Sequence, residues 1–238
     1  MKKNCQTKNV TQGFTIVELL IAMVVAGIVT MATYSVYVAQ QGHYAAQTQV
    51  TEMQQNKRAL LDLMTSDIRM AGFDGGSSSV AEITAAKPDL FSFTIDLDES
   101  GEIDVSGEHI AYDLYNKSDN VFTLGRSLAD NDDDLAVDQG SDHWEATGHA
   151  PVADNIEHLE FHYLDIDNNT LTTSVPDTDL DKITTVEISI LLRAGVEDPK
   201  FTNKMTYTTA GGTDWGPKDD HYRRRFQTMT VECRNANL

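Results

Sequence analysis

The chain contains few cysteines, few basic residues and, over a long N-terminal stretch, no proline. Cys5 and Cys233 are its two cysteines, which excludes a disulfide-dense scaffold and a cysteine metal cluster. If the apolar segment between them crosses a membrane, they lie in different compartments and form no intrachain disulfide. We therefore expect Cys233 to be a small buried apolar residue, and a free thiol open to a partner chain is the alternative.

The shortage of basic residues restricts both partners and topology. The 238 residues include 18 Lys and Arg against 37 Asp and Glu, a net charge of -19. Such a surface repels nucleic-acid phosphates, so we expect no nucleic-acid partner. Lys2, Lys3 and Lys8 precede the apolar segment, and no further Lys or Arg occurs before Lys57. By the positive-inside rule the N-terminus is cytoplasmic and the rest of the chain is exported.

The apolar segment contains one unexplained charge. Between Phe14 and Ala39 the single charged residue is Glu18, and at about 1.5 Å per residue this segment exceeds the roughly 30 Å hydrocarbon core of a bilayer. A cleavable secretory signal is shorter and contains no acid. A simple membrane anchor explains the length but not Glu18, since a carboxylate in the bilayer costs about 3 kcal/mol. Glu18 therefore needs a compensating partner.

The helical pattern continues beyond the apolar segment. No proline occurs from residue 14 to residue 87. We predict one helix from Phe14 to Met70, about 85 Å long, that ends at Gly72, Gly75 and Gly76. Its second half carries an amphipathic stripe of residues at helical spacing, Val50, Met53, Lys57, Leu60, Leu61, Met64, Ile68 and Ala71.

The first residues resemble a known export signal. KKNCQTKNVTQGFTIVELLIA is similar to the class III leader of type IV prepilins, with a basic leader, Gly13 at the cut, Phe14 after it, and Glu18 at the fifth mature position. The resemblance implies cleavage between Gly13 and Phe14 by a prepilin peptidase, followed by N-methylation of Phe14. The new N-terminal ammonium then pairs with Glu18 of a neighbouring subunit. Such a pair sets the axial register of packed helices rather than adding much stability.

Beyond residue 76 the apolar pattern alternates with a period of two, which indicates an antiparallel sheet. In the fifth predicted strand Val186, Ile188, Ile190 and Leu192 share one face, so we expect a sheet with one buried face covered by the helix stripe. The predicted strands are FSFTI (91–95), HIAYDLY (109–115), VFTLGR (121–126), IEHLEFHYL (156–164), TTVEISILLR (184–193) and RFQTMTVEC (225–233).

The predicted fold is therefore α+β, and the resemblance to type IV prepilins implies a pilin-like arrangement, with the long N-terminal helix packed on the sheet. The domain boundaries are a leader at 1–13, the transmembrane half of the helix at 14–39, its amphipathic half and stop at 40–76, and an exported β-rich domain at 77–238. The segment 196–220 is long enough to be a functional or mobile loop.

One acidic loop approximates a calcium-binding pattern. In DLDESGEIDVSGEH the oxygen ligands alternate around Gly101, as the ion requires, and Glu108 follows one place after the position that normally holds the last ligand. An acidic hairpin exposed to solvent is the alternative. The predicted ligands are Asp96, Asp98, Ser100, Glu102 through its backbone carbonyl, Asp104 and Glu108.

Other polar clusters have simpler explanations. The acidic runs 130–134 and 165–168 lack a glycine turn and are interpreted as solvated faces. His158, Glu160 and His162 alternate along one strand, which polar residues on an open sheet face explain as well as a metal. The basic run 223–225 is interpreted as edge protection or helix-packing ion pairs. No catalytic motif occurs, so we expect a protein that is not an enzyme.

Further segments resemble the PilW-type minor pilins, and the GspJ-like minor pseudopilins of type II secretion are similar. The resemblance implies a minor pilin that works with other pilins in pilus initiation or at the tip, and so in motility, adhesion or uptake. Two alternatives remain, a minor pseudopilin of a secretion pseudopilus and an exported ligand-binding domain on a simple anchor. The segments are NKRALLDLMTSDIRMAGF, VADNIEHLEFHYLD, VEISILLRAG and RRRFQTMTVECRN.

Overall fold

A computed structural model describes residues 13–75, 81–103, 107–129, 138–139, 144–145 and 148–235. The helix α1 spans Ile16–Met70, and a short 3-10 helix spans Asp177–Lys182. The strands are β1 (Ile83–Ala86), β2 (Leu90–Thr94), β3 (His109–Ser118), β4 (Val121–Ala129), β5 (Asp138–Gln139), β6 (Trp144–Glu145), β7 (His149–Leu164), β8 (Thr185–Arg193), β9 (Tyr207–Thr208), β10 (Asp214–Trp215) and β11 (Arg224–Glu232).

Seven of these strands form one antiparallel sheet, in the order β1-β2-β3-β4-β7-β8-β11. Two small two-stranded sheets, β9 with β10 and β5 with β6, complete the described strands. The predicted α+β fold, a long N-terminal helix followed by an antiparallel sheet, is confirmed. The chain divides into two compact units, residues 1–47 and 48–238.

The helix is one continuous element of 55 residues, close to the predicted span. It begins two residues later than predicted, at Ile16, because Thr15 occupies the capping position. It ends as predicted at a glycine, since Gly72 has a φ of 74° and donates its N–H to the Thr94 carbonyl over 3.0 Å. Gly76, the last of the predicted stop residues, lies outside the described residues.

The core of the unit formed by residues 48–238 lies between the amphipathic stripe of α1 and one sheet face. Leu60, Met64 and Ile68 are fully buried there. Each such side chain contributes roughly 1.5–3 kcal/mol by leaving water. The predicted cover of the sheet by the helix stripe is confirmed, and the strand residues that meet it include Val186, Ile188, Ile190 and Leu192, as expected from their alternation.

A polar contact that the sequence did not reveal fixes α1 to the sheet. Asp67 accepts hydrogen bonds from the Tyr112 hydroxyl at 2.6 Å and from Arg126 Nε at 2.7 Å. Burial, together with the Asp67 carboxylate, raises the pKa of Tyr112 far above its ordinary range. The phenol therefore stays protonated and keeps donating to the helix.

All six predicted strands exist, but the expectation of one buried sheet face is wrong in part. Leu191 of β8 points away from the main core and packs with Tyr207, Trp215 and Phe226 in a second, smaller apolar cluster. The segment 196–220, predicted as a long loop, supplies this cover through β9 and β10. Two-residue strands are too short for a periodic signal, which is why the alternation did not predict them.

Cys233 is buried, as expected, with 6% of its surface exposed. Burial raises the pKa of its thiol to about 12. A thiol of this kind is a small apolar packing residue and a poor nucleophile at neutral pH.

Candidate functional site

The start of α1 forms a local hydrogen-bonded cap. The Thr15 N–H and hydroxyl both donate to Glu18 Oε2, at 2.9 and 3.0 Å, and the Glu18 N–H donates to Thr15 Oγ1 at 3.3 Å. This reciprocal arrangement is a capping box, which satisfies N–H groups that have no partner within the helix. The sequence carried the signal, Thr followed three residues later by Glu, but the interpretation of Glu18 overlooked it.

The cap uses one of the two carboxylate oxygens of Glu18. Within the described residues Glu18 Oε1 has no hydrogen-bond partner, and no basic side chain forms an ion pair with this carboxylate. The other two predicted residues lie directly before the cap. Phe14 is 91% exposed, and a Cβ at Gly13 would meet open space. All three predicted processing and assembly residues are thus accessible at the beginning of α1.

The first half of α1 presents apolar side chains to its surroundings. In length and composition the helix is sufficient to cross a membrane. Exposed apolar surface of this extent needs lipid or other apolar helices around it. Its large exposed apolar side chains are Ile16, Val17, Leu19, Leu20, Ile21, Met23, Val24, Val25, Ile28, Val29, Met31, Tyr34, Val36, Tyr37 and Val38.

The acidic loop between β2 and β3 brings three of its predicted ligands together. One carboxylate oxygen each from Asp96, Asp98 and Glu108 lies within 4.8 Å of the other two. Asp96 and Glu108 have 0% of their surface exposed. Two of the three carboxylates are therefore shielded from solvent, while Asp98 is exposed. Glu108 belongs to this cluster although it falls one residue late in the pattern.

The remaining predicted ligands have different environments. The Ser100 hydroxyl donates to the Glu102 carbonyl at 3.2 Å, and the Ser100 N–H donates to Asp96 Oδ1 and Asp98 Oδ1 at 3.0 Å. Gly101 has a φ of 82° and donates its N–H to Asp96 Oδ2 at 2.9 Å, so the turn is built around the glycine as predicted. Asp104 lies outside the described residues.

The alternating residues of β7 are used separately. His162 Nδ1 lies 2.9 Å from Glu187 Oε2, whereas the His158 ring stacks on Trp215 at 5.0 Å between centroids. Burial lowers the pKa of His158, so its imidazole is neutral at pH 7. Glu160 Oε1 is buried without a hydrogen-bond partner. The strand does not gather the three side chains into a metal-ligating group within the described residues.

The arginines of the basic run are mostly engaged within the chain. Arg224 donates to Glu157 Oε2 at 2.5 Å and to Asp220 Oδ1 at 2.6 Å, and its side chain is 1% exposed. Arg223 donates to Asp198 Oδ2 at 2.7 Å. These ion pairs agree with the interpretation of the run as structural, although their partners come from strands and loops rather than from the helix. Arg225 is exposed.

Two family models match the chain. The model described as Type IV Pilus-assembly protein W matches residues 121–235, and the prokaryotic N-terminal methylation motif matches residues 8–34. Among solved structures, a type IV-like pilin from Thermus thermophilus is 12% identical, and the match covers 78% of this chain and 99% of that chain with a TM-score of 0.48. No curated protein matches the chain.

The methylation motif, the apolar helix that follows it and the PilW match define a type IV pilin-like structural subunit, which has a membrane anchor and an exported domain. Within that class the match over residues 121–235, together with the methylation motif, supports a minor pilin of the PilW type. The resemblance drawn from the sequence is confirmed.

Proposed function

We propose that this minor pilin is cut between Gly13 and Phe14 by a prepilin peptidase, is N-methylated on Phe14, and then joins a filament through its apolar helix. The observation that carries this proposal is the accessible arrangement of Gly13, Phe14 and Glu18 at the start of an exposed apolar helix, within a matched methylation motif. The free oxygen of Glu18 accepts the new ammonium of a neighbouring subunit, while the other oxygen keeps the cap. One carboxylate then serves both contacts.

Before assembly the subunit crosses the inner membrane once, with the domain that follows the membrane span in the periplasm. After assembly it lies in a pilus or at the cell surface, among major and other minor pilins. Its role is to initiate the filament or to occupy the tip, and so to support motility, adhesion or uptake. A minor pseudopilin of a secretion pseudopilus shares the same helix and leader and differs in its partners. A ligand-binding domain on an uncleaved anchor is the second alternative.

Processing is tested on the chain purified from cells that contain or lack a prepilin peptidase. We expect intact-mass and N-terminal analysis to find N-methylated Phe14 in the first cells and the complete leader in the second. Gly13→Val is expected to retain the leader even with the enzyme present, because it replaces the glycine that precedes the proposed cut. A side chain at this position meets open space, so the fold should be unaffected. Gly27→Val, the same change in equally open space, is expected to be processed normally. An intact Met1 in the presence of the enzyme would favour the uncleaved anchor.

We also propose that the acidic loop binds Ca²⁺ through Asp96, Asp98 and Glu108, with Ser100, the Glu102 carbonyl and Asp104 as further candidates. The specific support is the burial of Asp96 and Glu108 within 4.8 Å of a third carboxylate. Like charges held together away from water repel strongly, and a divalent cation with a preference for oxygen removes that repulsion.

Calcium titration of the full chain in detergent tests this second proposal. At about 100 times the dissociation constant, Ca²⁺ is expected to stabilise the fold by about 2.7 kcal/mol, and Mg²⁺ much less. Asp96→Asn is expected to abolish the effect. Asp165→Asn is the control, because Asp165 holds a similar loop through backbone N–H groups but is only partly buried and lies outside the cluster. Absence of calorimetric binding at about 5 mM Ca²⁺ would refute the site.

A further inference from the structure

A groove runs between the second half of α1 and β11, the strand at one end of the seven-stranded sheet. Two adjoining cavities of about 370 Å³ and about 640 Å³ form it, and Asp62 lines both. The first lies beside Arg58 and Arg225, and the second beside Arg69 and Arg234. The groove belongs entirely to the unit formed by residues 48–238.

The arginines of the chain fall into two groups that coincide with this groove. The four outside it each contact a carboxylate, namely Arg126 with Asp67, Arg193 with Asp119, Arg223 with Asp198, and Arg224 with Glu157 and Asp220. The four that line it, Arg58, Arg69, Arg225 and Arg234, are exposed, and no ion pair joins them to any carboxylate in the described part of the chain.

This separation is notable in a chain of net charge -19, where carboxylates outnumber basic side chains about two to one. Lys57 adds a fifth cation to the groove and donates to the Gln227 amide oxygen rather than to an acid. Asp62 is the one acid that lines the two cavities. Concentrated positive charge along a concave surface attracts an anionic partner and raises its association rate.

The neighbouring strand provides a second kind of recognition. β11 has nine residues and pairs with β8 on one side, and no other described strand pairs with it. An edge strand of this kind presents backbone N–H and C=O groups along its open side. Those groups accept an added strand, in which backbone hydrogen bonds provide affinity and alternate side chains provide specificity.

We propose that this groove binds an acidic segment of another protein in extended conformation, which pairs with β11 and places its carboxylates against Arg58, Arg69, Arg225 and Arg234. The phosphates of a nucleic acid can pair with the arginines, but a nucleic acid has no peptide backbone to form the hydrogen bonds of an added strand. The acidic remainder of the surface also repels a long polyanion. An acidic peptide can form both kinds of contact. This contact is separate from the pairing of N-terminal helices. The groove proposal can therefore be refuted or supported independently of the assembly role proposed for Glu18.

The test uses the full chain in detergent and a fluorescent ten-residue peptide in which Glu alternates with Thr. We expect salt-sensitive binding, and hydrogen exchange of β11 amides slowed by the peptide. Arg58→Gln combined with Arg225→Gln is expected to weaken binding at least about tenfold, because two charge-assisted contacts are lost. Both side chains are exposed and have no ion pair in the described residues, so unfolding should be unchanged.

The matched control combines Lys200→Gln with Lys204→Gln, which removes the same charge from exposed positions outside the groove and should leave binding intact. A peptide with Gln in place of Glu should bind at least about tenfold more weakly. The proposal is overturned if the acidic peptide does not bind, if both double variants weaken it equally, or if binding leaves β11 exchange unchanged. Displacement of the peptide by an equally charged oligothymidylate at equal concentration would assign the groove to nucleic acid instead.

Discussion

Glu18→Gln is expected to leave the chain inserted, processed and capped, yet almost absent from filaments. Glutamine at this position retains the capping box, since its side-chain oxygen accepts the same hydrogen bonds from Thr15. What it removes is the negative charge that we propose meets the methylated ammonium of a neighbour. Without that charge the ammonium enters an apolar helix bundle unpaired, which costs several kcal/mol per subunit.

Two further variants separate the cap from the charge. Glu18→Val loses both functions and should match Glu18→Gln in filament incorporation. Thr15→Val removes the capping hydroxyl but keeps the charge, so it should cost about 1 kcal/mol at the helix terminus and still permit assembly. The measurement is the amount of each variant in sheared filaments relative to its amount in membranes.

The contrary result is equally informative. If Glu18→Gln enters filaments as well as the natural chain does while Thr15→Val does not, the acid serves as a helix cap and the charge-pairing role is wrong. The local geometry supports this alternative, because Thr15 and Glu18 form the reciprocal hydrogen bonds of the cap.

Much of the fold could be predicted because its signals are local in sequence. The absence of proline and the spacing of Leu60, Met64 and Ile68 indicated the helix and the face it buries, and Gly72 indicated its end. Alternation located the six long strands. Short elements such as β9 and β10 carry too few residues for a period, so the cover they give to the second sheet face was not predicted.

The candidate sites follow the same division. The processing motif is contiguous, and Asp96, Asp98 and Glu108 lie in one loop between consecutive strands, so both candidate sites could be proposed from the sequence. Partners distant in sequence could not be. Asp67 contacts Tyr112 and Arg126, which lie 45 and 59 positions later in the sequence. No pattern within α1 indicates that contact. The separation of paired from unpaired arginines is likewise a property of the folded chain.

Arg224→Met is expected to destabilise the exported domain by about 3–5 kcal/mol, because the buried Glu157 then keeps only Lys218, which is 3.9 Å away and partly exposed, as a counter-charge. Arg224 lies 67 positions from Glu157 in sequence, and their side chains are 1% and 5% exposed. Asp220 is also released, although it is more accessible. Denaturant unfolding of the full chain in detergent provides the measurement through Trp215, whose indole packs close by against His158 and Phe226.

Arg225→Met provides the matched control for this prediction. It removes the same group one residue later, where the arginine is exposed and has no ion pair in the described residues, so the change should stay within about 0.5 kcal/mol. Adding Glu157→Gln to Arg224→Met should restore part of the loss, since the poorly compensated buried charge disappears. Equal stability of the two methionine variants would mean that water reaches Glu157 and that the pair is not truly desolvated. The two arginines are adjacent on one strand, and we expect Arg224 to support the fold while Arg225 remains available for the proposed partner.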